Sequence, residues 1–398
     1  MVDILVIDDD PIIRRMLQRV LQNQGYQVQL AETAEVGLSL ATTEEPAVIL
    51  CDWRLPGQLD GLEICRQLKL HPRLSTTFFL LITGHAETAN RVEALEAGAD
   101  DLLMKPIDMA ELKARVKSGM RLHQLTRDLR EQTYRLESEL TEAATYVQSL
   151  LPTDTEDRVK IQCRFVPSQQ LGGDCFDYYW LDPDYLVMYL LDVSGHGLGA
   201  ALLSTSVLNV LRSQSLPGTN FYRPETVLEG LNENFQMTDQ NDKYFTIWYG
   251  VYNRVTRQLS YASAGHPPAI LLSDSPVPGE PDTVDQLRTP GMPVGMMPEA
   301  RYVWHRCQIP MGSRLYIFSD GVYEVPMPPV ASVHPEADAA SSPLTASGAL
   351  LGLDGFIQML LHRVHPAPLD DILPKIIRLR SQEALLADDL SLLEVDFG

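Results

Sequence analysis

The chain has 398 residues, of which 45% are hydrophobic, and its 53 acidic and 32 basic side chains give a formal net charge of −21. This length predicts two or three domains, and the acidic balance argues against nonspecific binding to DNA or to anionic membranes. No apolar run approaches the ~18 residues of a membrane span, and the opening MVDILVIDDD lacks the features of a signal peptide. With five scattered cysteines, typical of reduced thiols, we expect a cytoplasmic protein.

Residues 1–119 alternate apolar runs with amphipathic segments. We predict strands over 4–7, 47–51, 78–82 and 101–104, and helices over 11–24, 61–70, 89–97 and 109–119. This alternation is typical of a parallel sheet covered by helices on both faces. In such sheets ligands bind where the carboxyl ends of the strands meet.

Polar side chains follow the predicted strands at that edge. They are Asp8, Asp9, Asp52, Thr83 and Lys105. Three carboxylates in one cleft repel one another unless a cation binds between them, and Mg²⁺ would be a suitable cation. Asp52 could then act as a nucleophile toward a phosphoryl donor, with Thr83 and Lys105 binding the added oxygens.

The motifs of this segment resemble those of the receiver domain of two-component response regulators. They are VIDDD, Asp52-x-x-Leu55-Pro56, Thr83-Gly84 and Gly98-Ala99-Asp100-Asp101…Lys105-Pro106. The resemblance implies a five-stranded parallel sheet and a histidine kinase as phosphodonor, with Asp52 as phosphoacceptor. It further implies one Mg²⁺ at Asp8, Asp9 and Asp52, with the carbonyl of Arg54 as another ligand. The alternative is a flavodoxin-like domain in which the acids have no function.

Two positions depart from the receiver pattern. The loop 56–61 is one residue longer than usual. Leu102 stands where receivers usually carry Tyr or Phe, the side chain that swings inward as the threonine closes on the phosphate. We therefore expect Leu102 to weaken this coupling or to pass it through another face.

Residues 120–151 predict one long helical connector, since no Gly or Pro interrupts it before Pro152. Apolar residues recur at a spacing of three or four, with charges between them. The apolar positions are Leu122, Leu125, Leu129, Leu136, Leu140, Ala143, Val147 and Leu150. This seam predicts a short coiled coil and hence a homodimer. The alternative is a single helix that lies on a neighbouring domain.

In the remaining half, the apolar run 185–191 predicts a buried strand that ends at Asp192. Glycines follow at 195, 197 and 199, and they allow the backbone to approach an ion closely. A rigidly held carboxylate beside such a turn suits a hard divalent cation. A dinucleotide fingerprint and a plain strand–turn–helix corner are alternatives. The fingerprint requires an acidic residue about 20 positions later, and none occurs between Val193 and Tyr222.

Four separated acids, Asp174, Asp192, Asp320 and Asp388, each stand at the edge of a predicted strand. Each alone is typical of a turn. Four in one β-rich domain favour a shared metal cluster, because unpaired carboxylates repel one another.

The motif order GGDxxD, DVSGHG, AGHPP, FSDGVYE and ADDLS resembles the PPM (PP2C-like) serine/threonine phosphatases of the sigma-regulator and sporulation branch. The resemblance implies an α+β fold with two antiparallel sheets flanked by helices, and two Mn²⁺ or Mg²⁺ ions. Asp192 would bridge both ions with help from the Val193 carbonyl, Asp174 would bind one ion, and Asp320 and Asp388 the other. Asp177 and Asp389 are further candidates. His196 and His266 are candidate general acids, although a structural hydrogen bond is the commoner role in such turns.

We therefore expect a receiver at 1–119, a helical connector at 120–151 and a phosphatase domain at 152–398. The expected function is dephosphorylation of phosphoserine or phosphothreonine proteins, controlled by phosphorylation of the receiver. The resemblance implies partner-switching, with an antagonist of an anti-sigma factor as the substrate. The alternative function is an inactive phosphatase-like adaptor, while a DNA-binding regulator is disfavoured by the acidic charge. The Pro-, Ala- and Ser-rich segment 325–350 predicts a mobile insertion near the active-site edge.

Overall fold

The computed structural model describes residues 2–84, 88–168, 171–237, 242–273, 282–325, 350–361, 369, 372–380 and 388–398. The chain divides into two compact units, Met1–Ser138 and Glu139–Gly398. The three-part division at 119 and 151 stays a prediction, and most of the predicted insertion, 326–349, lies outside the described residues. No helix within the described residues is both long enough and apolar enough to cross a membrane.

The first unit contains five parallel strands in one sheet, in the order β2-β1-β3-β4-β5. The strands are β1 (Ile4–Ile7), β2 (Val28–Ala31), β3 (Val48–Asp52), β4 (Phe78–Thr83) and β5 (Asp101–Met104). The helices are α1 (Pro11–Gln22), α2 (Ala34–Glu44), α3 (Gly61–Leu70), α4 (Thr88–Glu96) and α5 (Met109–Leu150). Strands β1, β3 and β4 are buried throughout because apolar cores lie on both faces of the sheet. The predicted five-stranded parallel sheet is confirmed.

The sequence pattern did not reveal β2 or α2. Strand β2 has the sequence VQLA and buries only Ala31, because it lies at the edge of the sheet. It therefore lacks the apolar run that marks a central strand. Helix α2 includes Gly37, where a Cβ would stand 2.6 Å from the Ile7 side chain. This glycine, which weakens a helical pattern, is explained by the close packing of α2 on β1.

Helix α5 is one continuous helix of 42 residues, so it does not end at Gly119 as the sequence suggested. Gly119 faces Phe78, and a Cβ there would collide with the ring. Further along, His123 Nδ1 hydrogen-bonds with the Thr76 carbonyl oxygen at 3.3 Å. Residues 131–142 are exposed on every side of the helix. The predicted helical stretch is therefore confirmed, and it continues the last helix of the first unit.

The second unit contains two antiparallel sheets of five strands each. Sheet I has the order β13-β10-β9-β8-β7, and sheet II has the order β12-β11-β14-β15-β6. The strands are β6 (Lys160–Val166), β7 (Cys175–Trp180), β8 (Tyr185–Val193), β9 (Phe245–Asn253), β10 (Gln258–Ala264), β11 (Ala269–Ser273), β12 (Thr283–Leu287), β13 (His305–Gln308), β14 (Arg314–Phe318) and β15 (Leu390–Asp396). The helices are α6 (Leu198–Arg212), α7 (Pro224–Asn234), α8 (Gly352–Leu361) and α9 (Leu373–Arg380). The predicted α+β class is confirmed.

Successive side chains of β8 point to opposite faces of sheet I, and they show how the sheets and helices pack together. Met188 and Leu190 point into the core between the two sheets, where they join Trp248 of sheet I and Leu393 of sheet II. Tyr189 belongs to a second core that contains residues of α6 and α7. A third core places α8 and α9 against sheet II. Because β8 is buried on both faces, it reads in the sequence as an unbroken apolar run, and Asp192 ends that run.

Candidate metal centres

The first candidate centre lies at the carboxyl ends of β1 and β3. These strands pair in parallel with Ile7 opposite Cys51, so the residues that follow, Asp8 and Asp52, lie side by side. Carboxylate oxygens of Asp8, Asp9 and Asp52 lie within 4.8 Å of one another, and Asp8 is completely buried. Burial is the main cause of the raised pKa of Asp8, which the backbone of Asp10 and Lys105 partly offset. Three such oxygens can hold one hard cation.

Lys105 and Thr83 complete this centre. The Lys105 ammonium donates to Asp52 Oδ2 at 2.8 Å and to Asp8 Oδ2 at 3.4 Å. Burial lowers the pKa of Lys105, but its hydrogen bond to Asp52 and the charges of both acids outweigh this, so the pKa is raised. The Lys105 backbone N–H donates to the carbonyl of Thr83 at 2.7 Å, which ties the ends of β4 and β5 together. The structure thus brings the predicted acids and both supporting residues to one edge of the sheet.

Arg54 and Leu102 occupy different surroundings. Arg54 is exposed on the loop after β3, and its role as a carbonyl ligand stays a prediction. Leu102 is half-buried and packs against the apolar core that also contains Leu81 and Ala99. A leucine at this position therefore contributes to the packing of the sheet.

The second candidate centre surrounds Asp192, at the end of β8. The pKa of the Asp192 carboxyl is raised to about 10, mainly by burial. The negative charges of four neighbouring acids also raise it, namely Asp174, Asp320, Asp388 and Asp389. These acids lie before β7, after β14 and before β15. Strand ends from both sheets thus place all four predicted acids, with Asp389, close enough to repel one another. Within the described residues, no three of them meet the mutual 4.8 Å spacing found at Asp8, Asp9 and Asp52.

Asp174 has one satisfied and one unsatisfied carboxylate oxygen. Ser391 Oγ donates to Asp174 Oδ2 at 2.6 Å, whereas Oδ1 is buried and has no hydrogen-bond partner among the described residues. Burial raises the pKa of Asp174 well above its usual value, and the charge of Asp389 raises it further. A buried carboxylate oxygen without a donor costs free energy, which a cation can offset. Asp174 therefore fits a metal ligand. Ser391 lies in the ADDLS motif, but its role was not apparent from the sequence.

Asp389 accepts hydrogen bonds at both oxygens. Its Oδ1 accepts from the backbone N–H of Ser168 at 2.8 Å and from the Ser168 hydroxyl at 3.0 Å. Its Oδ2 accepts from the N–H groups of Gly173 at 2.5 Å and of Asp174 at 3.2 Å. Gly172 also lies against the carboxylate, where a Cβ would collide with it. These contacts show that Asp389 holds the loop that positions Asp174; its assignment as a metal ligand stays a prediction.

Asp177 and the two histidines are placed differently from the acids around Asp192. Asp177 is buried and forms an ion pair with Arg212 at 2.5 Å, at the end of α6. His196 is exposed in its turn. His266 is only 6% exposed, and its Nδ1 hydrogen-bonds with Thr246 Oγ1 at 2.9 Å. Burial lowers the pKa of His266 to about 3, so this ring is neutral near pH 7 and is poorly suited to act as a general acid.

Comparison with known proteins finds two family models that match separate parts of the chain. The family model for stage II sporulation protein E (SpoIIE) matches residues 182–398, and the model for the response regulator receiver domain matches residues 4–117.

The curated relatives match about a third of this chain. The KDP operon transcriptional regulatory protein KdpE of Escherichia coli (strain K12) is 36% identical over 126 residues, 32% of this chain and 54% of that protein. Response regulator MprA of Mycolicibacterium vanbaalenii is 40% identical over 120 residues, 30% of this chain and 51% of that protein. The chain thus spans about half the length of these relatives.

A solved structure similar to this chain is the SiaA-PP2C domain of Pseudomonas aeruginosa. The TM-score is 0.52 with 17% sequence identity, and the match covers 67% of this chain and 99% of that domain. At this identity the similarity shows a shared fold.

The contacts of Asp389 predict a structural effect that is independent of metal. Asp389→Asn replaces one acceptor oxygen by an NH₂ group that would face a backbone N–H. We expect it to lower the free energy of unfolding by about 1–3 kcal/mol in EDTA. The measurement is urea unfolding followed by tryptophan fluorescence.

The matched control is Asp388→Asn, at an exposed position whose Oδ1 accepts from the Asp389 N–H. Asparagine keeps that acceptor, so we expect the free energy of unfolding to change by no more than about 0.5 kcal/mol. Unchanged stability of Asp389→Asn in EDTA, together with weaker Mn²⁺ binding, would show that Asp389 is a ligand and not a support.

Proposed function

The chain belongs to the stage II sporulation protein E (SpoIIE) family, and from this premise we propose that it is a response regulator whose output is metal-dependent dephosphorylation of phosphoserine or phosphothreonine proteins. A receiver domain fused to a PP2C-type phosphatase domain supports a regulated phosphatase. The observation that carries the proposal is that Asp174, Asp320 and Asp388 lie near enough to Asp192 for their charges to raise its pKa.

The carboxylates of the second unit suit two Mn²⁺ or Mg²⁺ ions. In our assignment Asp192 would hold both ions with help from the Val193 carbonyl, Asp174 would hold one ion, and Asp320 and Asp388 would hold the other. The unpartnered Oδ1 of Asp174 supports this assignment. When bound, such ions supply Lewis acidity and activate water for hydrolysis of a phosphate ester. The chain's own part is to hold the buried Asp174 in position, through Ser391 and Asp389.

In this proposal the first unit regulates the phosphatase activity. We assign Asp52 as phosphoacceptor and Asp8, Asp9, Asp52 and the Arg54 carbonyl as ligands of one Mg²⁺. The Lys105 ammonium, 2.8 Å from Asp52, would stabilise the phosphoryl oxygens, with Thr83 beside it. A histidine kinase is the proposed phosphodonor. The proposed substrate is a phosphorylated antagonist of an anti-sigma factor, a proposal supported by membership of the SpoIIE family.

An inactive adaptor that only binds a partner is the alternative function. Such an adaptor would have no need of several acids that repel one another, and their presence favours the enzyme. Release of phosphate from p-nitrophenyl phosphate or a phosphopeptide, dependent on a divalent cation, separates the two functions.

Helix α5 offers a surface for a homodimer. Its apolar seam includes Leu122, Leu125, Leu129 and Leu136, each at least half exposed. Leucines at coiled-coil spacing that are exposed in one chain can be buried by a second copy. Phosphorylation of Asp52 adds roughly one to two negative charges, and coupling to the phosphatase requires an element with two arrangements. We propose that a parallel pair of α5 helices is that element.

Asp192→Asn should abolish turnover while the fold stays intact, because a bridging ligand is lost and the side-chain volume is kept. Phosphate release from a phosphopeptide across a manganese titration is the measurement. Asp157→Asn, which makes the same charge change at an exposed position, should leave activity unchanged. Near-normal activity of Asp192→Asn at any manganese concentration would contradict the assignment.

Asp52 should take up phosphate from acetyl phosphate or phosphoramidate with Mg²⁺, giving an acid-stable, base-labile adduct. Mass spectrometry of the intact chain detects the adduct. Asp52→Ala should remove it, whereas Asp128→Ala on the exposed surface of α5 should keep it. An adduct that persists in Asp52→Ala would place the phosphoacceptor elsewhere.

Leu129→Glu with Leu136→Glu should make the protein monomeric and uncouple activity from phosphorylation of Asp52. Burying each charge in a helix pair would cost on the order of 2–5 kcal/mol of association. Light scattering measures the oligomeric state, with and without a phosphoryl donor. Tyr134→Glu, an exposed position off the seam, is the control and should stay dimeric. A wild-type monomer in both conditions would rule out this mechanism.

A further inference from the structure

Lys243, just before β9, lies against the turn that follows Asp192. Its ammonium Nζ donates to the carbonyl oxygen of Ser194 at 3.3 Å. A Cβ on Gly195 would stand 3.4 Å from that nitrogen, and a Cβ on Gly199 would stand 3.1 Å from Lys243 Cε. The two glycines therefore leave room for the lysine to cross the turn and the first residues of α6.

Within the part of the chain that the structure describes, no ion pair neutralises the charge of Lys243. Among the described residues, its hydrogen-bond partner is a neutral backbone carbonyl. The charges that dominate around Asp192, two residues before Ser194, are all carboxylates. Lys243 is thus a half-buried cation at the edge of an acidic cluster, with ammonium hydrogens left for another acceptor.

The beginning of α6 adds a second positive feature at the same edge. This 15-residue helix starts after Gly197, and because glycine has no side chain, this N-cap residue gives the first N–H groups of the helix no capping hydrogen bond. The N-terminus of a helix carries a partial positive charge that favours anions. The aliphatic stem of Lys243 passes Gly199 in this first turn, so the ammonium and the helix end lie close together.

We propose that Lys243 binds the phosphoryl oxygens of the phosphoprotein substrate, with the first turn of α6 beside it; this inference rests on the proposed phosphatase function. A phosphate monoester carries close to two negative charges near pH 7 and is repelled by the acids around Asp192. Lysine is a common phosphate ligand because it offers a compact charge with three donors. Lys243 would thereby select doubly charged phosphoryl groups over uncharged esters.

Two substitutions separate charge from structure at this position. Lys243→Gln can still donate to the Ser194 carbonyl but has no charge, whereas Lys243→Arg keeps the charge. Lys375→Met, at an exposed position of α9, controls for the loss of one positive charge outside the turn. Melting temperatures of all variants show whether the fold is kept.

The experiment measures product inhibition by inorganic phosphate during manganese-dependent hydrolysis of a phosphopeptide. Lys243→Gln should raise the inhibition constant of phosphate and the KM of the phosphopeptide by about tenfold or more, the loss expected for one charged hydrogen bond. The manganese requirement should not change. Lys243→Arg should stay within about threefold of wild type, since the charge is kept.

The outcomes distinguish this proposal from the one on which it rests. If wild type releases phosphate and Lys243→Gln shows an unchanged inhibition constant, Lys243 only supports the turn and the proposal is wrong. If wild type releases no phosphate at any manganese concentration, the phosphatase function itself is wrong. In that case calorimetric titration of inorganic phosphate still decides whether Lys243 binds this anion.

Discussion

Mutual repulsion between buried carboxylates is the constraint on which both halves of this protein depend. In the first unit Asp8 is fully buried beside Asp52, and in the second unit burial and four neighbouring acids raise the pKa of Asp192 to about 10. Burying like charges costs free energy unless cations or hydrogen-bond donors offset the cost. The two units offset it differently. The first has the Lys105 ammonium in contact with Asp52 and Asp8, whereas the second relies on hydroxyl and N–H donors and leaves one oxygen of Asp174 unsatisfied.

The two architectures explain this difference. In a parallel sheet, neighbouring strands end at the same edge, so acids that follow β1 and β3 are adjacent by register alone. In the second unit the acids come from strand ends in two separate sheets and need a support that spans them. Asp389, before β15 of sheet II, gives this support by accepting N–H bonds from Gly173 and Asp174, which precede β7 of sheet I. Lys243, which we propose binds the phosphoryl group, lies against the turn that follows Asp192.

Helix α5 shows how one element serves two structural roles. Up to Arg130 it is fixed to the first unit, where Arg130 hydrogen-bonds with Ser75 and Thr76. From Ala143 it packs with Leu171 and Ala201 of the second unit. The residues between, 131–142, are exposed on all sides, which is uncommon for a helix stabilised by tertiary packing. An exposed segment of this kind, with leucines at coiled-coil spacing, is the physical basis for the proposed helix pair.

Sequence alone determined the features that depend on local pattern. The buried strands β1, β3, β4 and β8 are apolar runs, and acids stand at the ends of β1, β3 and β8. The parallel class of the first sheet follows from how strands and helices alternate, whereas the antiparallel sheets were implied by the family resemblance. Tertiary structure alone decided features that depend on distant partners. Strand β2 was missed because an edge strand needs no long apolar run, and Gly119 lies inside α5 because Phe78 packs against it. The support by Asp389, the pairing of Asp177 with Arg212 and the place of Lys243 at Ser194 join residues 35 to 216 positions apart. The spacing of residues in the sequence does not predict such contacts, because they form only when distant segments pack together in the folded chain.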